Sequence, residues 1–334
     1  MFSRNIVFMF SGQGSHYYQM GRALFDGSDA FRRILLQLDD VAKPLLNRSI
    51  IDVLYKDGRR KDELFDEIQL TSAAIFMVEY ALANVLIDHG VKPDYLLASS
   101  MGTYAAAAVA AVLDPTDALR SIIEVAKGYE TKCQRGSMIA VLGAPQLHRD
   151  LKVLHDNSDI AAVNFASHFV ISTTNGHIDE IEAALLRENI VFQRIAVSWP
   201  FHSRWIDDAR QATLEVLGKL RYRQPIIPLI CCARSAVLET VSAESCWDSV
   251  RNPIEFARTI AELEKRGPSY YVDVGPAGTL ATFLKYALPS TSTSQTYSIL
   301  TPFGGELRNY QRLISERSSP ANLPPDEKRQ NLRA

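Results

Sequence analysis

The chain of 334 residues is long enough for a full hydrophobic core, and its 47% hydrophobic, 22% charged composition is that of an ordinary globular protein. A net charge of −2 supplies no global field for nucleic acid or an anionic membrane, so neither is expected as a partner. The four cysteines, Cys133, Cys231, Cys232 and Cys246, lack C-x-x-C spacing, a pattern unlike a zinc site or a small disulfide framework, and read by default as reduced, intracellular thiols.

Residues 6–10 are a short apolar run ended by Ser11-Gly12-Gln13-Gly14-Ser15, the pattern of a buried strand feeding a loop. That run is too short for a secretory signal, and 105–113, the longest apolar stretch, is too short to span a bilayer. A cytoplasmic protein is expected. Residues 17–46 read as helical pieces broken near Gly27. From 71 to 90, the spacing of Ile75, Val78, Leu82, Val85 and Leu86 predicts a helix stopped at Gly90. Residues 95–98 read as a second buried strand running into Ser99-Ser100-Met101-Gly102 and a helix over 104–112. Helix, strand, tight turn, helix is the grammar of a parallel α/β sheet.

The middle of the chain changes character. Strands at 137–142, 160–163, 169–173 and 191–197, with helices at 144–155 and 178–189, give the order βαββαβ, a ferredoxin-like unit. It is flanked by the larger pattern, which resumes with helices at 207–220, 254–266 and 279–286 and strands at 226–231 and 270–274. The fold class is therefore α/β: a large subdomain with a parallel sheet (1–135 and 200–315) interrupted by a small one (136–199). The polar, proline-rich segment 316–334 is expected to be a disordered tail.

Three elements carry chemistry. A nucleophile elbow needs a serine on a sharp strand-to-helix turn with small residues two before and two after; Ala98 and Gly102 hold those places around Ser100. The following helix would aim its N-terminus at a reacting oxygen, with the Met101 N–H as one oxyanion donor. A helix-capping serine satisfies the same pattern. Gly12-Gln13-Gly14-Ser15-His16 lets the backbone approach another chain or a ligand closely, and an anion-binding loop or a plain turn fits it equally. A serine nucleophile needs a base, and histidine is the usual one at neutral pH. His202, in Trp199-Pro200-Phe201-His202-Ser203, lies at the subdomain junction; His16, in the glycine loop, is its competitor.

Taken in order, these elements resemble the malonyl-CoA:acyl-carrier-protein transacylase family, most nearly the free-standing acyltransferases and acyl hydrolases of trans-acyltransferase polyketide synthases. The matching residues are Phe10-Ser11-Gly12-Gln13-Gly14-Ser15 with Met20-Gly21, Ser100-Met101-Gly102, Tyr104-Ala105-Ala106, Asp117-Ala118, Asn164, Phe201-His202-Ser203, Asn252-Pro253 and Asp273-Val274-Gly275-Pro276. The resemblance runs from about residue 5 to 302. It implies a hydrolase-like large subdomain with a ferredoxin-like insertion. It also implies that Ser100 attacks a thioester, with His202 as base and the backbone N–H groups of Gln13 and Met101 as oxyanion hole. A backbone carbonyl near Ser249 would orient the imidazole in place of an acidic residue, and Asn164 and Phe201 would line the substrate site.

Departures from the family pattern concern the substrate. The histidine beside the nucleophile is replaced by Ser99, and the glutamate that often follows by Thr103. Val125 stands where malonyl-specific members carry an arginine. A bidentate arginine–carboxylate pair contributes charge-assisted bonds of roughly 1.5–3 kcal/mol each, and without it a buried carboxylate is unpaired. Arg120, Lys127 or Arg204 could supply the cation from another direction. The expected function is an editing acyl hydrolase for neutral acyl groups in polyketide biosynthesis. The alternatives are an acyl or malonyl transacylase and an inactive scaffold member. No metal or organic cofactor is expected, the acyl group being carried on phosphopantetheine. The expected partners are acyl carrier protein domains, met by a monomer with Arg204 and Arg251 as candidate docking cations.

Overall fold

Two sheets organise the computed structural model, which describes residues 4–317. In chain order the strands are β1 (Asn5–Phe10), β2 (Tyr95–Ala98), β3 (Gly136–Leu142), β4 (Asp159–Phe165) and β5 (His168–Thr174). They continue with β6 (Val191–Arg194), β7 (Leu229–Cys231), β8 (Ala236–Val237), β9 (Ser269–Asp273) and β10 (Gln295–Ser298). The larger sheet runs β10-β9-β1-β2-β7-β8, parallel except for the short β8. Strand β1 is central, and Val7 through Phe10 are buried on both faces, as a strand covered by helices on each side requires.

The smaller sheet runs β4-β5-β3-β6, antiparallel throughout. Helix Ile178–Arg187 packs on it through Ile181 and Leu185, which join Ile139, Val141, Phe169 and Ile171 in a separate core. The fold is α/β, a hydrolase-like parallel sheet with a ferredoxin-like βαββαβ unit inserted.

Helix Ile68–Asp88 is the spine of the larger unit. It is apolar and long enough to cross a membrane by length and composition, but 83% of its most apolar window is buried inside the protein. Its even apolarity follows from having neighbours on every side.

Hydrogen bonds stitch the smaller sheet to the larger unit. The N–H of Val163 on β4 donates to the Ile254 carbonyl (2.8 Å), and the N–H of Ile254 donates to the Ala161 carbonyl (2.8 Å). The Ser172 hydroxyl on β5 donates to the Phe201 carbonyl.

Several expected elements differ in extent. The helix expected over 144–155 is two short ones, Leu147–Asp150 and Lys152–Asn157, separated by Leu151 in an extended conformation. Residues 226–228 do not join β7, and Ile226 is exposed. Helix Glu306–Arg317 extends into the segment expected as a tail, because Arg317 stacks on the Tyr270 ring (3.6 Å to its centroid) and Glu316 accepts from the Tyr297 hydroxyl (2.8 Å). The remainder of that expected tail, 318–334, lies outside the described residues.

Gly102 fixes where the β2 turn rests against β1. A Cβ there would meet the carbonyl oxygens of Phe10 and Ser11 at 2.5 Å. Backbone oxygens cannot rotate away, so Gly102→Ala should destabilise the fold by about 1–3 kcal/mol. The measurement is a urea titration; an unchanged midpoint would contradict the contact.

Candidate active site

Ser100 occupies the bend between β2 and helix Gly102–Val109, and its φ of 55° is in the left-handed region. Only a turn sharpened in this way lifts the serine side chain clear of both elements. The bend is held by the Ser99 N–H donating to the Phe10 carbonyl (2.9 Å) and the Gly102 N–H donating to the Ser99 carbonyl (3.0 Å).

His202 also has a left-handed backbone, φ 59°. Its N–H donates to the Val250 carbonyl (3.0 Å), and the Ser203 hydroxyl closes the loop on the Pro200 carbonyl (2.5 Å). The ring Nδ1 lies 2.7 Å from the Asn252 carbonyl oxygen, and Nε2 lies 2.8 Å from Ser100 Oγ. A carbonyl can only accept, so Nδ1 carries the proton and Nε2 presents its lone pair to the serine hydroxyl. Burial is the main cause that lowers the imidazole to about 4; the Arg251 guanidinium lowers it further and the Asn252 bond opposes. The ring is therefore neutral at physiological pH.

The orienting carbonyl is that of Asn252, not of Ser249. Ser249 lies in the last turn of helix Ala243–Arg251, with its hydroxyl donating to the Cys246 carbonyl (2.7 Å). Asn252 is the first residue past that helix, extended at φ −84° and ψ 155°. The following Pro253 disfavours helical backbone at Asn252, which turns its carbonyl off the helix axis and towards the ring.

The glycine loop rests on the nucleophile turn. A Cβ on Gly12 would lie 2.8 Å from Ser100 Cβ and 3.1 Å from its Oγ, so only glycine permits this approach. The Gln13 side chain is anchored at both ends, donating to Ser72 Oγ (2.8 Å) and accepting from Thr71 Oγ1 (3.1 Å). Among the described residues, the backbone N–H groups of Gln13 and Met101 have no acceptor. His16 does not compete for the serine. Its Nε2 lies 2.6 Å from the Phe65 carbonyl and its Nδ1 accepts from the Gly14 N–H (3.3 Å), so both nitrogens hold the loop.

Ser100 lies between two cavities. Inward is a small one of about 30 Å³, lined by Met101, Tyr104, Val125, Tyr129, Phe201 and Val250 among others, with no lysine or arginine in its wall. Arg120 and Lys127 are exposed on the outer face of helix Pro115–Lys132, and Arg204 is bound to Asp159 (2.7 Å). Outward is a cleft of about 420 Å³ between the two sheets, reached by Asn164, Phe201, Ile254 and Phe283. Asn164 is buried, with its Nδ2 3.1 Å from His168 Nδ1.

Sequence reasoning missed Tyr104, Tyr129, His168 and Phe283 as lining residues; an aromatic on a helix reads as core, and only the tertiary arrangement turns it towards a cavity. Arg251, one expected docking cation, is paired in a fork with Asp207 (2.5 and 3.1 Å). With Arg204 also paired, neither offers an unpaired charge.

The family model of the acyl transferase domain matches residues 7–316. The polyketide biosynthesis acyltransferase homolog BaeD of Bacillus velezensis is 42% identical over 315 residues, covering 94% of this chain and 97% of that protein. The homolog PksD of Bacillus subtilis is 41% identical, covering 91% and 94%. A loading acyltransferase from the avermectin modular polyketide synthase superposes with a TM-score of 0.85 at 24% identity, covering 94% of this chain and all of that one, a likeness of fold.

Proton transfer from Ser100 to His202 requires the neutral ring, which sets the direction of the pH dependence. Labelling of Ser100 by a fluorophosphonate should rise as the pH passes about 4 and be level by pH 6. A midpoint near pH 7 would show that the ring is not desolvated, and labelling that survives in Ser100→Ala would place the nucleophile elsewhere.

Proposed function

The chain belongs to the acyl transferase domain family, and from that premise and the Ser100–His202 geometry we propose a polyketide-biosynthesis acyl hydrolase. It forms an acyl-serine from acyl-carrier-protein thioesters and passes the acyl group to water. The observation that carries the reading is the position of Ser100, between a cation-free apolar cavity and a cleft open to a flexible arm.

His202 Nε2 takes the Ser100 proton as Oγ attacks the thioester carbonyl. The negative charge that develops on the carbonyl oxygen falls to the N–H groups of Gln13 and Met101, both fixed before substrate arrives. Collapse breaks the carbon–sulfur bond, and His202 returns the proton to the departing pantetheine thiol. Water then repeats the attack with His202 again as base, releasing the carboxylic acid and restoring Ser100. The Asn252 carbonyl stabilises the imidazolium that forms in each half, in the place where an acidic residue would otherwise stand.

Substrate choice follows from desolvation. A malonyl group places a second carboxylate against Val125, Tyr104 and Tyr129, where no cation meets it, and an unpaired buried charge costs several kcal/mol. A small neutral group such as acetyl fills the cavity without that penalty. A cavity of about 30 Å³ is larger than the ~10–15 Å³ that one water occupies, and suits two or three heavy atoms rather than a long chain.

Transfer to a second carrier-protein thiol is the other resolution of the same acyl-serine, favoured by the cleft of about 420 Å³ that reaches Ser100 and His202 from outside. An inactive scaffold role is disfavoured by the 2.8 Å contact between Ser100 and His202. Incubation with acetyl-loaded carrier protein separates the three: free acetate supports the hydrolase, exchange onto a second thiol the transferase, and no turnover the scaffold. Acetyl thioester should acylate Ser100 at least about tenfold faster than malonyl thioester, and Val125→Arg should narrow or reverse that ratio. Preference of the wild-type chain for malonyl would defeat the argument from the cavity.

A further inference from the structure

Glu79 sits midway along helix Ile68–Asp88 with no exposed surface, behind the glycine loop rather than in the cleft. Four oxygens stand in line, the first its own Oε1. Ser11 Oγ is 2.9 Å from Glu79 Oε1, Ser15 Oγ is 3.0 Å from Ser11 Oγ, and the Gly12 carbonyl oxygen is 2.7 Å from Ser15 Oγ. Each contact has the length of an O–H···O hydrogen bond, so each requires a proton between its oxygens. The two serine hydroxyls supply two, and the Gly12 carbonyl supplies none. The third must come from the carboxyl.

The surroundings agree with that count. Among the described residues, Oε2 of Glu79 has no hydrogen-bond partner. As the carbonyl oxygen of a neutral acid this loses one modest bond; as half of a carboxylate it leaves part of a buried charge unsatisfied, although Oε1 accepts from the Ser11 N–H (2.7 Å). The charged neighbour is Asp273 on β9, a second buried acid rather than a cation. Burial pushes Glu79 well above the usual carboxylate range, the Ser11 bonds oppose, and Asp273 adds to the rise.

The chain of bonds ends where the chemistry begins. The Gly12 carbonyl and the Gln13 N–H belong to one planar peptide, so what fixes the carbonyl also fixes the direction of the N–H. The carbonyl accepts from the Ser15 hydroxyl and, at 3.3 Å, from the Ser15 N–H. Successive hydrogen bonds polarise one another, which strengthens the N–H at the far end as a donor.

We infer that Glu79 is a protonated positioning residue whose carboxyl hydrogen starts a relay through Ser11 and Ser15 that aims the Gln13 N–H at the oxyanion. This rests on the proposed role of that N–H in acyl-serine formation. Glu79 touches neither substrate nor reacting atoms, so it orders the site without taking part in the chemistry.

Infrared spectra of the full chain at pH 8 test the proton directly. Asp273, raised by burial to about 6, is ionised there. A carboxylic-acid C=O band should be present in the wild type and in Glu306→Gln, should shift on carbon-13 labelling of glutamate, and should vanish in Glu79→Gln. If Glu79→Gln does not fold, the labelled wild-type chain beside Glu306→Gln still gives the reading, and absence of the band overturns the inference. Steady-state kinetics test the relay. Ser15→Ala keeps the carboxyl but removes the last link, and should lower kcat for thioester cleavage about tenfold at unchanged KM. A wild-type kcat, or a loss confined to KM, overturns the positioning role. Failure of the wild-type chain to acylate at Ser100 would instead remove the acyl-serine reading, while the infrared band would remain.

Discussion

The hydrogen-bonded line from the Asn252 carbonyl through His202 to Ser100 is the constraint around which the rest of the molecule is arranged. Its two side chains come from residues with left-handed backbones, each a conformation that costs about 1–3 kcal/mol and persists only where the surroundings impose it. The surroundings do so from several directions: β1 and β2 fix the serine bend, while helix Ala243–Arg251 and its cap fix the ring. Burial then keeps the imidazole neutral without any acidic partner, because a peptide carbonyl sets its tautomer and desolvation keeps it uncharged.

The inward cavity beside Ser100 is walled by Val125, Tyr104, Tyr129 and Phe201, with no lysine or arginine among the described residues that line it. The edge-to-face contact of Tyr129 with Phe201, 5.2 Å between centroids, links the helix bearing Val125 to the segment bearing His202. The shape of the cavity and the placement of the base therefore share a side chain.

The parts of the fold legible in the sequence are those written in local patterns. The apolar run before Gly12, the cramped turn around Ser100 and the βαββαβ order in the middle are each set by near neighbours, and the structure has them within a few residues. The strands β8 and β10 are too short to show a period, and helix Ala243–Arg251 carries its apolar residues on one narrow face among polar ones. The identity of the orienting carbonyl depends on where that helix stops, and a shift of three residues separates Ser249 from Asn252. Glu79 was illegible for another reason: one acid in an apolar helix looks like a solvated residue until packing encloses it.

The bond between β4 and Ile254 has a mechanical consequence. Ile254 is two residues beyond Asn252, so the edge of the smaller sheet is stitched to the same short stretch of chain that steers the imidazole. The anchor point of the smaller sheet and the carbonyl that holds the ring therefore lie on one three-residue stretch with Pro253 between them, so a single rigid segment registers both.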